Sequence, residues 1–303
     1  MLDTALKMTV KLSNDTLAIL SVIFFRQNRN LRLRKVCSMK KSIAVFLLFI
    51  ILSAASLAFG QVTSAERTAI PALSEPGLIL SFDDTHHSAR WVKQMPLFEK
   101  YQAKATFFIN APQRIRPDQL ENLRKLAAAG HEIACHGALH IKAVDYIKEK
   151  GMEAYLRDEI EPANKKLTEL GFRPKTFAYP MSNNNAAVDA ELAKIFLHMR
   201  TGGGVPAGKT IAECDHFFVP IAQTASRPLF NGRGIDRSTD ESLKNHVFPA
   251  LERLAQRKEV MIFYAHGIDK GITDHHIEPE MLEKVMQKAS ELKLKFYTFS
   301  MIP

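Results

Sequence analysis

Two adjacent carboxylates, Asp83-Asp84, and a His-x-x-x-His pair, His136 and His140, are the residues of this 303-residue chain whose types and spacing point to chemistry. Two imidazoles and one carboxylate are the three protein ligands of a catalytic zinc, and they leave a coordination position for water. A pair of aspartates divides the labour of such a site. One coordinates the divalent metal, with zinc the expected ion. Its neighbour, near the metal but not on it, takes a proton from the water that the metal activates. The cation lowers both carboxyl pKa values and so keeps both groups ionised.

Elements must bring these residues together. From about Gly77, short apolar runs alternate with amphipathic ones. Strands are predicted over residues 78–82, 105–109, 132–136, 176–180 and 260–265, with weaker ones over 196–199 and 217–221 and a last over 295–301. Helices are predicted over 118–129, which Gly130 stops, over 152–170, kinked at Pro162, and over 241–256 and 280–292. Strands interleaved with helices make an α/β fold with a parallel sheet. About seven to eight strands in residues 77–303 fit a single-domain (β/α) barrel better than an open sheet. Asp83-Asp84, His136, Tyr179-Pro180 and His266 then fall at strand carboxyl ends, where a barrel collects its catalytic groups.

The runs Ser81-Phe82-Asp83-Asp84, His136-Gly137-Ala138-Leu139-His140, Phe177-Ala178-Tyr179-Pro180 and Tyr264-Ala265-His266 resemble, in order and spacing, the motifs of the polysaccharide deacetylase family, carbohydrate esterase family four. The resemblance covers roughly residues 77–301. It implies a distorted (β/α) barrel that removes N- or O-acetyl groups from sugars with a divalent metal, usually zinc. It implies Asp84, His136 and His140 as metal ligands, Asp83 as general base and His266 as general acid. The family's third motif normally reads Arg-x-Pro-Tyr, and the backbone N–H after its proline helps hold the oxyanion. Here Ala178 stands in place of the arginine, followed by Tyr179, Pro180 and Met181. Arg200 is the candidate to supply a guanidinium from the next strand. The family's Asp-rich fourth motif has no clear match, and Asp236 is a weak candidate partner for His266. The implied substrate is an acetylated carbohydrate. A related hydrolase of a non-sugar amide and a non-catalytic carbohydrate-binding barrel are the alternatives.

Blander readings stand beside these. Alone, Asp83-Asp84 would be a solvated loop pair. Trp91 is a platform for a sugar ring or a core residue. His86, His87, His275 and His276 line the sugar groove or have no role, and His131 is structural. The glycines at 202–204 lack the context of a phosphate loop and read as a mobile loop.

Charge and composition bound the rest. A net charge of +9 suggests a nucleic-acid or anionic-membrane partner, but residues 1–60 carry nine basic groups against two acidic ones and the remaining 243 residues are nearly neutral. No nucleic-acid partner is therefore expected. Lys40-Lys41, the uncharged stretch 42–59 and Ala58-Phe59-Gly60 have the order of a secretory signal. Residues 39–60 are read as that signal, 1–38 as an over-extended start or cytoplasmic flank, 61–76 as a short linker and 77–303 as the catalytic domain. The chain is expected to be exported, with a membrane anchor only if the signal stays uncleaved. Three cysteines exclude a disulfide-built scaffold, and Cys135 is expected as a buried free thiol, with a Cys135–Cys214 pairing the alternative.

Overall fold

A computed structural model describes residues 70–303. Residues 1–38, 39–60 and most of 61–76, read above as start or flank, signal and linker, lie outside the described residues. Among the described residues no helix is long and apolar enough to cross a membrane.

Seven strands make a closed parallel barrel: β1 (Gly77–Asp83), β2 (Thr106–Ile109), β3 (Glu132–Cys135), β4 (Thr176–Ala178), β5 (His198–Gly202), β6 (Leu229–Gly234) and β7 (Glu259–Ala265). Closure is the pairing of β7 with β1, residues 77–82 against 260–265. The other edge of β1 is shared. Its upper half pairs with β2, and its lower half with β8 (Lys295–Tyr297), also in parallel. This is the distorted (β/α) barrel the sequence leads one to expect, with seven strands in the closed ring.

The alternation of side chains along each strand decides what enters the barrel. Ile79, Phe108, Ala134, Ala178, Phe230, Val260 and Ile262 form the interior cluster, which Phe299 and Ile302 join. Their neighbours Leu78, Leu80, Phe82, Phe107, Met199, Met261 and Phe263 pack in the larger outer core with Trp91, Leu123 and Leu126 of the helices. Strands buried on both faces read as continuous apolar runs, which is why β1 and β7 stand out in the sequence. The inward parity, continued upward, arrives at Asp83, Asn110, His136, Arg200, Tyr264 and His266. The barrel's pleat therefore selects the residues of its mouth.

Two expectations need correction. Residues 217–221 are not a barrel strand, since only Val219–Pro220 is extended there and it pairs antiparallel with β7. The sixth strand is β6, whose sequence Leu-Phe-Asn-Gly-Arg-Gly carries two glycines and two polar residues. The glycines are needed: a Cβ on Gly232 would lie 3.0 Å from Cδ1 of Tyr264, and one on Gly234 3.2 Å from its Cζ. Of the glycines at 202–204, Gly202 and Gly203 are likewise packed and not a free loop, while Gly204 is exposed and faces open space. Gly202 ends β5, and Gly203 N–H donates to the Gly232 carbonyl at 2.9 Å.

The predicted helix over 152–170 is present in three pieces: Met152–Tyr155, a π-helical turn Leu156–Ile160, and Glu161–Glu169. Pro162 has no N–H to return to the preceding turn, and the widened turn just before it absorbs that loss. Pro249 repeats the device after the π-turn Leu243–Val247. Cys135 and Cys214 are both buried and free.

Candidate active site

Asp83 ends β1 on the inward parity and is buried. Burial alone would raise its pKa, but the charges of Arg200, His136 and His266 outweigh that and hold it below the ordinary carboxylate value. Arg200, itself buried, comes up from β5 and donates from a terminal guanidinium nitrogen to Asp83 Oδ2 at 2.5 Å. Its guanidinium carbon lies 5.1 Å from the ring centre of Phe108 and 4.4 Å from that of Tyr264. The guanidinium absent at Ala178 is thus present in the next strand. Asp83 Oδ1 is buried with no hydrogen-bond partner.

Asp84 leaves the strand in a positive-φ conformation, φ 77°. Its N–H donates to the Phe108 carbonyl, and Asn110 Nδ2 donates to its Oδ1 at 2.7 Å. His136 has Nδ1 tied to the Ala178 carbonyl at 2.8 Å, so this nitrogen carries the proton and Nε2 is left as the donor atom for a metal. Nε2 of His136 and of His140 lie 3.9 and 3.6 Å from Asp84 Oδ1. Asp84, His136 and His140 each offer a ligand atom, all within 4.8 Å of one another. Two imidazole nitrogens and one carboxylate oxygen form a donor set that suits zinc, and Asp83 stands beside it with Oδ2 4.0 Å from His136 Nε2.

Across the mouth, His266 follows β7. Its Nδ1 is bound to Asp236 Oδ2 at 2.7 Å, and its N–H donates to Asp236 Oδ1. Burial pulls the imidazole pKa down, but the Asp236 hydrogen bond and the charges of Asp83, Asp236 and Asp84 more than offset it and raise the pKa to about 9. The structure thus pairs Asp236 with His266, on a sequence signal no stronger than one carboxylate after a strand.

Tyr179 and Pro180 are buried, with the Tyr179 hydroxyl directed at Met199 Sδ at 3.5 Å. Met181 stands 52% exposed on the rim at φ 52°. Trp91 departs from its suggested role. It is fully buried and donates its indole N–H to the His266 carbonyl at 2.7 Å, so it presents no face to a sugar and instead supports the end of β7. His131 accepts the Ala105 N–H in the core, a structural position.

Sequence reasoning missed Asn110, which braces both Asp84 and the Thr85 N–H. It also assigned no role to Tyr264 or Glu159. The available signal for Asn110 was its inward parity one residue past β2.

His86, His87 and Asp274 form a second cluster of metal-type donors. A terminal guanidinium nitrogen of Arg90 lies 2.9 Å from His87 Nδ1. Because arginine only donates, Nδ1 must accept, and the proton sits on Nε2, which faces Asp274 at 3.6 Å. Burial, aided by the neighbouring cations, pushes the His87 pKa down to about 3. The cluster is a polar strap from the segment after β1 to the loop after β7 rather than a set of free lone pairs.

The parallel barrel thus carries a carboxylate–imidazole donor set and a carboxylate–imidazole pair at its carboxyl-end mouth. Residues 71–199 match the family model described as polysaccharide deacetylase. The match takes in β1 to β4 with Asp83, Asp84, His136 and His140, and ends within β5 before Arg200. No protein of curated function matches the chain. Solved structures similar to it include a family 4 acetyl xylan esterase from Clostridium thermocellum in complex with cobalt (19% identity, 74% of this chain and 88% of that one, TM-score 0.43). Another is a family 4 carbohydrate esterase from Streptomyces lividans in complex with acetate (14%, 73% and 91%, TM-score 0.45). A third is the catalytic domain of a peptidoglycan N-acetylglucosamine deacetylase from Eubacterium rectale (17%, 80% and 93%, TM-score 0.41). The fold stands on the strand pairing described above, not on these likenesses.

Proposed function

We propose that this protein is an exported, metal-dependent deacetylase that hydrolyses N- or O-acetyl groups on a carbohydrate. The observation that carries the reading is the Asp83–Arg200 pair set beside the Asp84, His136 and His140 donor set, with the His266–Asp236 pair facing it. Asp84, His136 and His140 would hold the divalent metal, with zinc the expected ion. When bound, such an ion polarises the acetyl carbonyl and lowers the pKa of a water.

The chain's own groups do the rest. Asp83, ionised and held by Arg200, accepts the proton of the attacking water on its unpartnered oxygen. The N–H of Met181 would donate to the developing oxyanion. His266, cationic at neutral pH and oriented by Asp236, delivers a proton to the departing amine or alcohol. The nearly neutral body of the chain suits an uncharged glycan better than a polyanion.

Acetate release from chitin oligosaccharides, peptidoglycan, acetylxylan and bacterial exopolysaccharide tests the activity and ranks the substrates. Release from an acetylated non-sugar amide, with none from any glycan, would replace the carbohydrate reading. Export rests on the signal-like order of residues 39–60. N-terminal sequencing of the native protein tests cleavage, with Gln61 the expected first residue and Met39 the contrary result; recovery of residues 1–38 would overturn the over-extended start.

A further inference from the structure

Of the three donors, His140 has the least regular backbone support. Asp84 follows β1 and His136 follows β3, each braced by hydrogen bonds to a neighbouring strand or its end. His140 stands in a loop at φ 58° and is partly exposed. What shapes that loop is a carboxylate beneath it.

We infer that Glu159 is a positioning residue for the metal-ligand loop, holding the N–H groups of the residues before and after His140 so that its Nε2 faces Asp84. Glu159 is fully buried and comes from the π-turn Leu156–Ile160. One carboxylate oxygen accepts the Leu139 N–H at 2.6 Å, the other the Ile141 N–H at 3.1 Å, and its main-chain carbonyl accepts the Ala138 N–H at 3.0 Å. The Leu139 and Ile141 N–H groups lie on either side of His140, so one side chain fixes the backbone before and after it.

The loop is cut to admit this carboxylate. Gly137 has φ 85°, and a Cβ there would lie 2.0 Å from Glu159 Oε1. Glycine therefore serves both the left-handed backbone and the close approach. Two main-chain donors also explain why the acceptor is Glu. Glutamine in the same place would turn an N–H₂ toward one of those N–H groups and lose that bond.

The inference rests on the proposed metal role of Asp84, His136 and His140, and direct titration of the metal-free protein with Co2+ or Zn2+ separates the two. Four proteins are compared: wild type, Glu159→Gln, Glu159→Asp, and Leu167→Ala as a core variant of the same helical segment whose loss of Tm is matched against theirs. The expected result is that wild type and Leu167→Ala bind alike, while both Glu159 variants bind about 10–100-fold more weakly, the range typical of residues that orient a metal ligand. The visible spectrum of bound Co2+ should change in the Glu159 variants and not in Leu167→Ala. Should Glu159→Gln not fold, Glu159→Asp carries the test, because it keeps the charge but is too short to reach both N–H groups. Wild-type affinity and spectrum in the folded Glu159 variants would overturn the inference. Failure of wild type to bind either ion would instead overturn the metal reading on which it rests.

Discussion

Asp83 sits where burial by itself would favour the neutral acid, and Arg200 is the group that keeps it a base. The guanidinium is in turn held by the faces of Phe108 and Tyr264. Arg200→Lys keeps the charge but loses the planar fork and the stacking, so kcat is expected to fall with little change in KM in steady-state assays. Tyr264→Phe keeps the ring over Arg200 and is expected to remain active, whereas Tyr264→Leu is expected to lower kcat. His266 sets the alkaline limb. Its protonated form is the acid, so activity is expected to fall as pH rises through about 9, and Asp236→Asn should move that limb downward in a pH–rate profile. The same pKa, raised from 6.5, means that the pair's contribution to stability is fully present below about 6.5 and is lost as pH rises through about 9.

At the scale of elements, the barrel delivers its mouth by parity, and this decided what was legible. β1, β3 and β7 announce themselves as apolar runs, and the inward position at or just past the end of each falls on a charged or imidazole residue, so Asp83, with Asp84 next to it, His136 and His266 were readable. β6 was not, because its strand-breaking residues serve a neighbour: Gly232 and Gly234 make room for the Tyr264 ring. Intrinsic propensity there yields to tertiary packing. Arg200 was only a suggestion, since nothing in the sequence says that β5 would aim it at Asp83. Trp91 stayed open between a sugar platform and a core residue because residue type does not reveal exposure, and the structure gives the core reading. Gly232→Val tests the packing claim. Overpacking against Tyr264 is expected to cost about 1–3 kcal/mol in chemical denaturation, and acetate release should fall with it.

For the whole molecule, the net charge of +9 divides into +7 on residues 1–60 and +2 on the remaining 243, so the basic character belongs to the segment read as an export signal and its flank. The described residues form a barrel, and every group assigned to chemistry is found at its carboxyl-end mouth. The most direct test of this account compares wild type with Asp83→Asn and with Asp84→Ala, measuring metal content and acetate release on the same samples. Wild type should bind metal and release acetate. Asp84→Ala should lose the metal, and Asp83→Asn should keep it while acetate release drops by about 100-fold or more. Undiminished acetate release by metal-loaded Asp83→Asn would contradict the account.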